Sequence, residues 1–138
     1  MDMGRIMSID YGLKRSGVAV TDPLQIVVNG LAGIDTKELL SFIVKYMESE
    51  SVEKIVFGLP LHADGTETYL KEKIDEFIPK IKKLAPEMSF DFQDEFHTSR
   101  EAVDIMVRAG VKKKDRRDKS KIDQLSAVLI LQRYLKHI

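Results

Sequence analysis

MSIDYGLKRSGVAV, residues 7–20, sets a carboxylate, two glycines and two cations between two apolar runs. Three readings lead from it to different folds: a phosphate-binding loop, a metal-binding nuclease strand, or a plain β-hairpin. Gly12 and Gly17 have the G-x-x-x-x-G spacing of a P-loop, but Val18-Ala19 follows where Lys and Ser or Thr are required. The second glycine also opens a strand rather than a helix, so no helix N-terminus is offered to a phosphate. The Walker reading fails on both counts. The glycines are then expected to serve the turn, where positive φ is needed. Asp10 is left as either a turn carboxylate or a metal ligand.

Around this hairpin, alternation predicts strands over 5–10, 16–21 and 26–34, the last after the Asp22-Pro23 break. Asp35 or Thr36 is expected to cap a helix reaching about residue 50, with Leu39, Leu40, Ile43, Val44 and Met47 at helical spacing. Residues 52–57 form an apolar strand of the kind buried on both faces. A loop over 58–65 leads into a helix over 67–84, whose stripe runs Leu70, Ile74, Phe77, Ile78 and Ile81, with a kink expected at Pro79. A fifth strand covers 89–95. The helix over 98–109 opens with Thr98-Ser-Arg-Glu101, a capping-box pattern, and stops at Gly110. The last helix, 120–136, is apolar on most sides and should be buried. The order β-β-β-α-β-α-β-α-α predicts an α/β fold in one domain, 1–138: an antiparallel meander, then strands separated by helices.

Composition narrows the function. There is no cysteine among the 138 residues, which excludes disulfides, thiolate chemistry and a Cys-caged zinc, and fits a cytoplasmic protein. No apolar run approaches bilayer length, and the N-terminus lacks a signal peptide's apolar core. Net charge is zero but unevenly spread. Residues 108–121 hold eight cations and two acids, a local +6 against −6 in the rest of the chain. Lys112, Lys113, Lys114, Arg116 and Arg117 form the heart of that segment, which is either a solvated loop or a patch for a phosphate-rich partner.

Metal-dependent phosphodiester hydrolysis needs several carboxylates converging on hard cations. In a mixed sheet, carboxylates at adjacent strand ends can meet although distant in sequence. Asp10 ends one predicted strand and Asp94-Glu95 ends another. Asp123 falls in the first turn of the buried helix, on a stripe continuing through Ala127, Ile130 and Tyr134. One acid on an apolar stripe is costly unless paired or metal-bound. Each acid also has an ordinary structural role open to it. Asp10 can accept backbone N–H bonds in its own turn, Asp123 can partner a Ser120 cap, and Glu95 can be a solvated strand end. Alternation puts Phe90, Phe92 and Asp94 on one face and Asp91, Gln93 and Glu95 on the other, without choosing between Asp94 and Glu95. His62, His97 and His137 are scattered without metal-ligand spacing, and no Ser-His-Asp arrangement can be assembled.

Four blocks resemble one known family. They are Ile9-Asp10-Tyr11-Gly12-Leu13-Lys14-Arg15-Ser16-Gly17-Val18-Ala19-Val20; Val56-Phe57-Gly58-Leu59-Pro60-Leu61 through Asp64-Gly65 and Glu67; Asp94-Glu95; and Lys112-Lys113-Lys114 through Asp123 and Ala127 to Leu135. Together they are similar to the YqgF family, also called RuvX: Holliday-junction-resolvase-like proteins associated with pre-16S ribosomal RNA nuclease activity. The resemblance implies an RNase H-like fold, a five-stranded mixed sheet flanked by helices. It implies Asp10, Glu95 and Asp123 as the catalytic acids, holding Mg²⁺ or Mn²⁺, and so prefers Glu95 to Asp94. Lys14, Arg15 and the basic segment would hold the nucleic-acid backbone, with precursor RNA favoured over branched DNA. No membrane is implied, and a monomer or weak homodimer is expected. The family usually has Arg directly after the Glu, where this chain has Phe96. That loss removes a guanidinium suited to phosphate.

The resemblance thus predicts a metal-dependent endonuclease acting on structured nucleic acid. The Phe96 departure keeps a rival in view, a non-catalytic nucleic-acid-binding factor in transcription or ribosome assembly. A sugar-kinase or actin-like ATPase would share the Asp10-Tyr-Gly12 hairpin but needs a second similar domain, for which 138 residues leave no room.

Overall fold

The structure, a computed structural model, describes residues 4–59, 66–94 and 98–138, with backbone only at 66–68 and 98–99. Its strands are β1 (Arg5–Asp10), β2 (Arg15–Thr21), β3 (Val28–Asp35), β4 (Val52–Leu59) and β5 (Ser89–Asp94). Its helices are α1 (Leu39–Ser49), α2 (Thr66–Leu84), α3 (Thr98–Arg108), α4 (Lys113–Arg116) and α5 (Lys119–Tyr134). The five strands form one sheet in the order β3-β2-β1-β4-β5. β1 pairs antiparallel with β2, and β2 with β3, whereas β4 runs parallel to β1 and to β5. This is the mixed sheet, antiparallel then parallel, that the sequence predicts.

Side-chain alternation gives the sheet two different faces. Met7 and Ile9 of β1, Val18 and Val20 of β2, Ile55, Phe57 and Leu59 of β4 and Phe90 and Phe92 of β5 turn towards α1 and α2. They meet Leu39, Ile43, Ile74, Phe77 and Ile81 in the main core, where Phe57 stands edge-on to Phe77 at 6.4 Å. Each fully buried aliphatic or aromatic side chain there contributes about 1.5–3 kcal/mol. On the opposite face, Ile6 and Val56 pack against Ile130 and Leu131 of α5. The Ser8 hydroxyl donates to the Ala127 carbonyl at 2.7 Å. The predicted Asp123–Ala127–Ile130–Tyr134 stripe is therefore the sheet-facing side of α5. At its far end the Tyr134 hydroxyl donates to Asp91 (2.7 Å) and accepts from Lys54 (2.9 Å). Arg133 pairs with Glu101, tying α5 to α3 as well.

Several local expectations are corrected. Neither Asp35 nor Thr36 caps the first helix with its side chain; a 3-10 turn over Thr36–Glu38 precedes α1, and the Thr36 hydroxyl donates to the Gly12 carbonyl instead. α5 is capped by Asp118, which accepts from the Ser120 N–H at 3.0 Å, so Asp123 lies beyond the first turn and does not partner a Ser120 cap. The third strand starts at Val28 rather than Ile26. Asp22 takes the backbone N–H groups of Leu24, Ile26 and Val27 into a turn that leaves those three side chains exposed. α2 runs over the expected range, with Pro79 inside it. The basic segment contains a short helix, α4, rather than being loop throughout. The loop over 60–65 and the residues Glu95, Phe96 and His97 lie outside the described residues. Thr98 of the expected capping box has no described side chain, and Glu101 is engaged by Arg133. Among the described residues, no helix is long and apolar enough to cross a membrane.

Candidate active site

The site forms where the β1–β2 hairpin meets the N-terminal part of α5. Asp10 is the last residue of β1 and its register partner across the ladder is Gly17 of β2. A Cβ at Gly17 would land on the Asp123 carbonyl, and one at Gly33 of β3 would land on that of Ser120. Two glycines in adjacent strands thus let the α5 backbone lie directly on the sheet. That approach brings Asp123 over the Asp10–Gly17 pair.

The expectation that Gly12 and Gly17 serve a turn through positive φ is not met. Among the described glycines only Gly110 has positive φ, at 77°. The Gly12 position is crowded for another reason, because a Cβ there would strike the Arg15 carbonyl. A glycine inside a strand often marks close backbone approach, and Gly17, Gly30 and Gly33 carry that signal in the sequence.

A ring of hydrogen bonds braces the hairpin. The Gly12 N–H donates to the Ser16 hydroxyl (3.3 Å), which pairs with the Thr36 hydroxyl (2.8 Å), which donates back to the Gly12 carbonyl (2.6 Å). With Thr36 donating to a carbonyl, the proton between the hydroxyls must come from Ser16. The Thr36 N–H also donates to the Lys14 carbonyl at 2.9 Å. These bonds hold the turn after Asp10 to the end of β3. Pattern reading missed them, because a Ser and a Thr twenty residues apart carry no periodic signal.

The electrostatics at the strand end are asymmetric. Burial pushes the Asp10 carboxyl up from 3.8 to about 6, and the neighbouring Asp123 charge adds to the rise. Among the described residues no hydrogen-bond donor offsets this, so Asp10 is not satisfied by its own turn. Asp123, by contrast, accepts from Arg15 Nε at 2.9 Å, and Arg15 also lies 3.8 Å from Asp35. Arg15, expected on the nucleic-acid backbone, is thus turned onto two carboxylates. Glu95 lies outside the described residues, and Asp94 ends β5 exposed. No group of three or more metal-ligating side chains occurs among the described residues.

The expected cations divide by position. Lys14 is exposed at the hairpin tip beside the site. Lys112, Lys113, Lys114 and Arg117 are exposed around α4, immediately ahead of the helix that carries Asp123. Lys121 is held by Asp115 at 3.0 Å, whereas Arg116 is half-buried, its Nε without a partner among the described residues. A cavity of about 640 Å³ lies elsewhere, at the start of β4 and the end of α2, lined by Met47, Glu50, Val52, Glu53, Leu84 and Met88. It is remote from the paired carboxylates.

Comparison with known proteins supplies the family context. A family model described as "RuvX: Holliday junction resolvase" matches residues 4–137. A Bacteroides fragilis protein named "Putative pre-16S rRNA nuclease" is 46% identical over 134 residues, covering 97% of each chain. Proteins of the same name from Christiangramia forsetii and Flavobacterium psychrophilum are 44% and 39% identical over 133 residues. Each match covers 96% of this chain, and 98% and 97% of the two relatives.

Proposed function

The chain belongs to the RuvX family of Holliday-junction resolvases, and from that premise we propose that it is a metal-dependent endonuclease that hydrolyses phosphodiester bonds in structured RNA. Its substrate under this reading is the precursor of 16S ribosomal RNA, as the relatives' names indicate. The single observation that carries the reading is the pairing of Asp10 with Asp123. Folding places two carboxylates together, one of them desolvated without a hydrogen-bond donor among the described residues, at a free energy cost that packing alone does not explain.

The donor set fits Mg²⁺ or Mn²⁺, which take hard carboxylate oxygens and retain positions for water and phosphate. Asp10 and Asp123 would hold the ion together with Glu95. Asp91 of β5 points to the α5 face, since it accepts from Tyr134, while Phe90 and Phe92 point to the α1–α2 core. Glu95 has the parity of Asp91 and Asp94 that of Phe92, which favours Glu95 as the third ligand. When bound, a divalent ion supplies a water acidic enough to attack phosphorus at neutral pH and charge to stabilise the leaving oxygen. The chain's own residues position the scissile phosphate: Lys14 from the hairpin, and Lys112, Lys113, Lys114, Arg116 and Arg117 from the segment around α4. These cations fix the backbone without reading sequence.

Under this reading residues 1–138 act as one domain, in the cytoplasm where the transcript is, as a monomer or weak homodimer. A second reading, a nucleic-acid-binding factor without turnover, rests on Phe96 in place of the family's Arg. Cleavage of labelled pre-16S RNA and of a four-way DNA junction, each with Mg²⁺ and with Mn²⁺, separates these readings. Faster cutting of the RNA supports the proposal; faster cutting of the junction assigns the activity to branched DNA. Salt-sensitive binding of both with no product from either would favour the non-catalytic factor.

A further inference from the structure

We propose that Arg15 is a positioning residue that holds the Asp123 carboxylate as a stand-in cation, and that it moves to Asp35 when a divalent ion takes its place. This rests on the reading of Asp10 and Asp123 as metal ligands. Two features of the structure support it.

The first is where the Arg15 guanidinium charge is spent. Arg15 Nε donates to Asp123 Oδ2 at 2.9 Å, while the Asp10 carboxylate receives no donor from the described residues. A group meant to relieve the crowding of two acids could serve either one. Of the two, Arg15 serves Asp123, fixing its carboxylate over the end of β1. The second is a seat for the guanidinium on its other side. Asp35 is the register partner of Arg15 in the β2–β3 ladder, so backbone hydrogen bonding keeps it alongside. Its Oδ1 lies 3.8 Å from Arg15 Nη1, a distance of attraction rather than a hydrogen bond, and its side chain is half exposed. A small rotation of the guanidinium would close that gap while releasing Asp123, so the exchange moves no backbone.

The exchange fixes the sign of a measurable effect. A guanidinium that competes with the ion for Asp123 weakens ion binding, so removing it must tighten binding. A guanidinium that merely orients Asp123 for the ion would have the opposite effect, because its removal would loosen a ligand. Contact between unit charges at a partly buried site is worth about tenfold in affinity.

The test is Mn²⁺ titration of the full chain, followed calorimetrically, for the parent and for Arg15→Gln, Arg15→Lys, Asp35→Asn and Asp10→Asn. The proposal expects Arg15→Gln to bind Mn²⁺ about tenfold more tightly. Arg15→Lys, which restores the competing charge, should lie within about twofold of the parent. Asp35→Asn, which removes the seat, should bind a few-fold more weakly. Unchanged or weaker binding by Arg15→Gln, with parent binding still dependent on Asp10, overturns the proposal and leaves the metal site standing. Parent binding that is absent, or indifferent to Asp10→Asn, removes the metal site itself and the proposal with it. Should Arg15→Gln fail to fold, the Arg15→Lys and Asp35→Asn affinities decide: binding by Asp35→Asn as tight as the parent's, or loss of binding by Arg15→Lys, is then the contrary result.

Discussion

At the scale of the residue, Asp10 is a carboxylate whose ionisation opposes folding. Its pKa is about 6 in the folded chain against 3.8 in the ordinary state. Between those values the folded protein binds more protons than the unfolded one, so stability falls as pH rises through the window. The destabilisation is complete above about pH 6 and absent below pH 3.8. A shift of this size corresponds to roughly 1–3 kcal/mol. Asp10→Asn should therefore stabilise the protein by that amount at pH 7.5 and by little near pH 4. Urea unfolding in EDTA at the two pH values measures both numbers. A destabilised variant at pH 7.5 would mean that the Asp10 carboxylate is held by hydrogen bonds from beyond the described residues. Asp10 and Asp123 stood out in the sequence as a carboxylate at a strand end and one on an apolar helix stripe, each with an ordinary structural role also open to it, and the family resemblance selected them as candidate ligands. Arg15 was not legible in the same way. Its partner is 108 residues away, and nothing in a lysine-arginine pair at a turn says which cation faces solvent and which faces an acid.

At the scale of the element, the close seating of α5 on the sheet sets the site's geometry. Gly17→Ala would drive a methyl group into the Asp123 carbonyl, where neither backbone can give way without shifting the helix. Overpacking of this kind costs about 1–3 kcal/mol, and here it should also weaken Mn²⁺ binding by displacing Asp123. Gly110→Ala is the matched control. Gly110 has positive φ but open space around its Cβ, so the substitution should cost about 1 kcal/mol and leave Mn²⁺ affinity unchanged. Thermal unfolding and metal titration of both variants check the contrast; equal metal affinity in the two would show that the close approach at Gly17 does not position the ligand. The strands and long helices were legible because apolar periodicity is local. The helix caps were misread because Asp118 and Ser120 offer similar capping chemistry two positions apart, and because the Thr36 hydroxyl is drawn to the Gly12 carbonyl by a tertiary contact that local sequence does not show. The close approaches at glycine were missed because one residue type serves turns, bulges and backbone crossings alike.

At the scale of the whole molecule, a chain of zero net charge is electrically divided. Eight of its 22 cations lie in residues 108–121, which lead into α5, while acids outnumber cations in the rest of the chain. Such a distribution directs a polyanion to one end of the sheet without attracting it generally. The logarithm of the RNA affinity of an uncleaving Asp10→Asn protein should fall linearly with log salt concentration. Replacing Lys112, Lys113 or Lys114 by Gln removes one phosphate-neutralising charge, and each such substitution should lower that slope by about 0.7–0.9. Filter binding across a salt series gives the slopes. An unchanged slope in the triple substitution would place the phosphate-binding surface elsewhere. The mixed pairing of the sheet was legible from the succession of elements, because hairpin-linked strands run antiparallel and helix-linked strands commonly run parallel, whereas the strand order came with the structure. The direction in which each face looks was not legible either, and it came only with α5 in place.

The proposed nuclease activity stands or falls with Asp10, Asp123 and Glu95 acting together on a metal ion. Single-turnover cleavage of labelled pre-16S RNA in Mg²⁺ decides this, comparing the parent with Asp10→Asn, Asp123→Asn, Glu95→Gln and Asp94→Asn. We expect no cleavage in EDTA and losses on the order of a thousandfold for the first three substitutions, with RNA binding retained. Asp94→Asn should cut within a few-fold of the parent. Cleavage near the parent rate by Asp10→Asn or Asp123→Asn, or undiminished cutting in EDTA, would refute the metal-dependent mechanism.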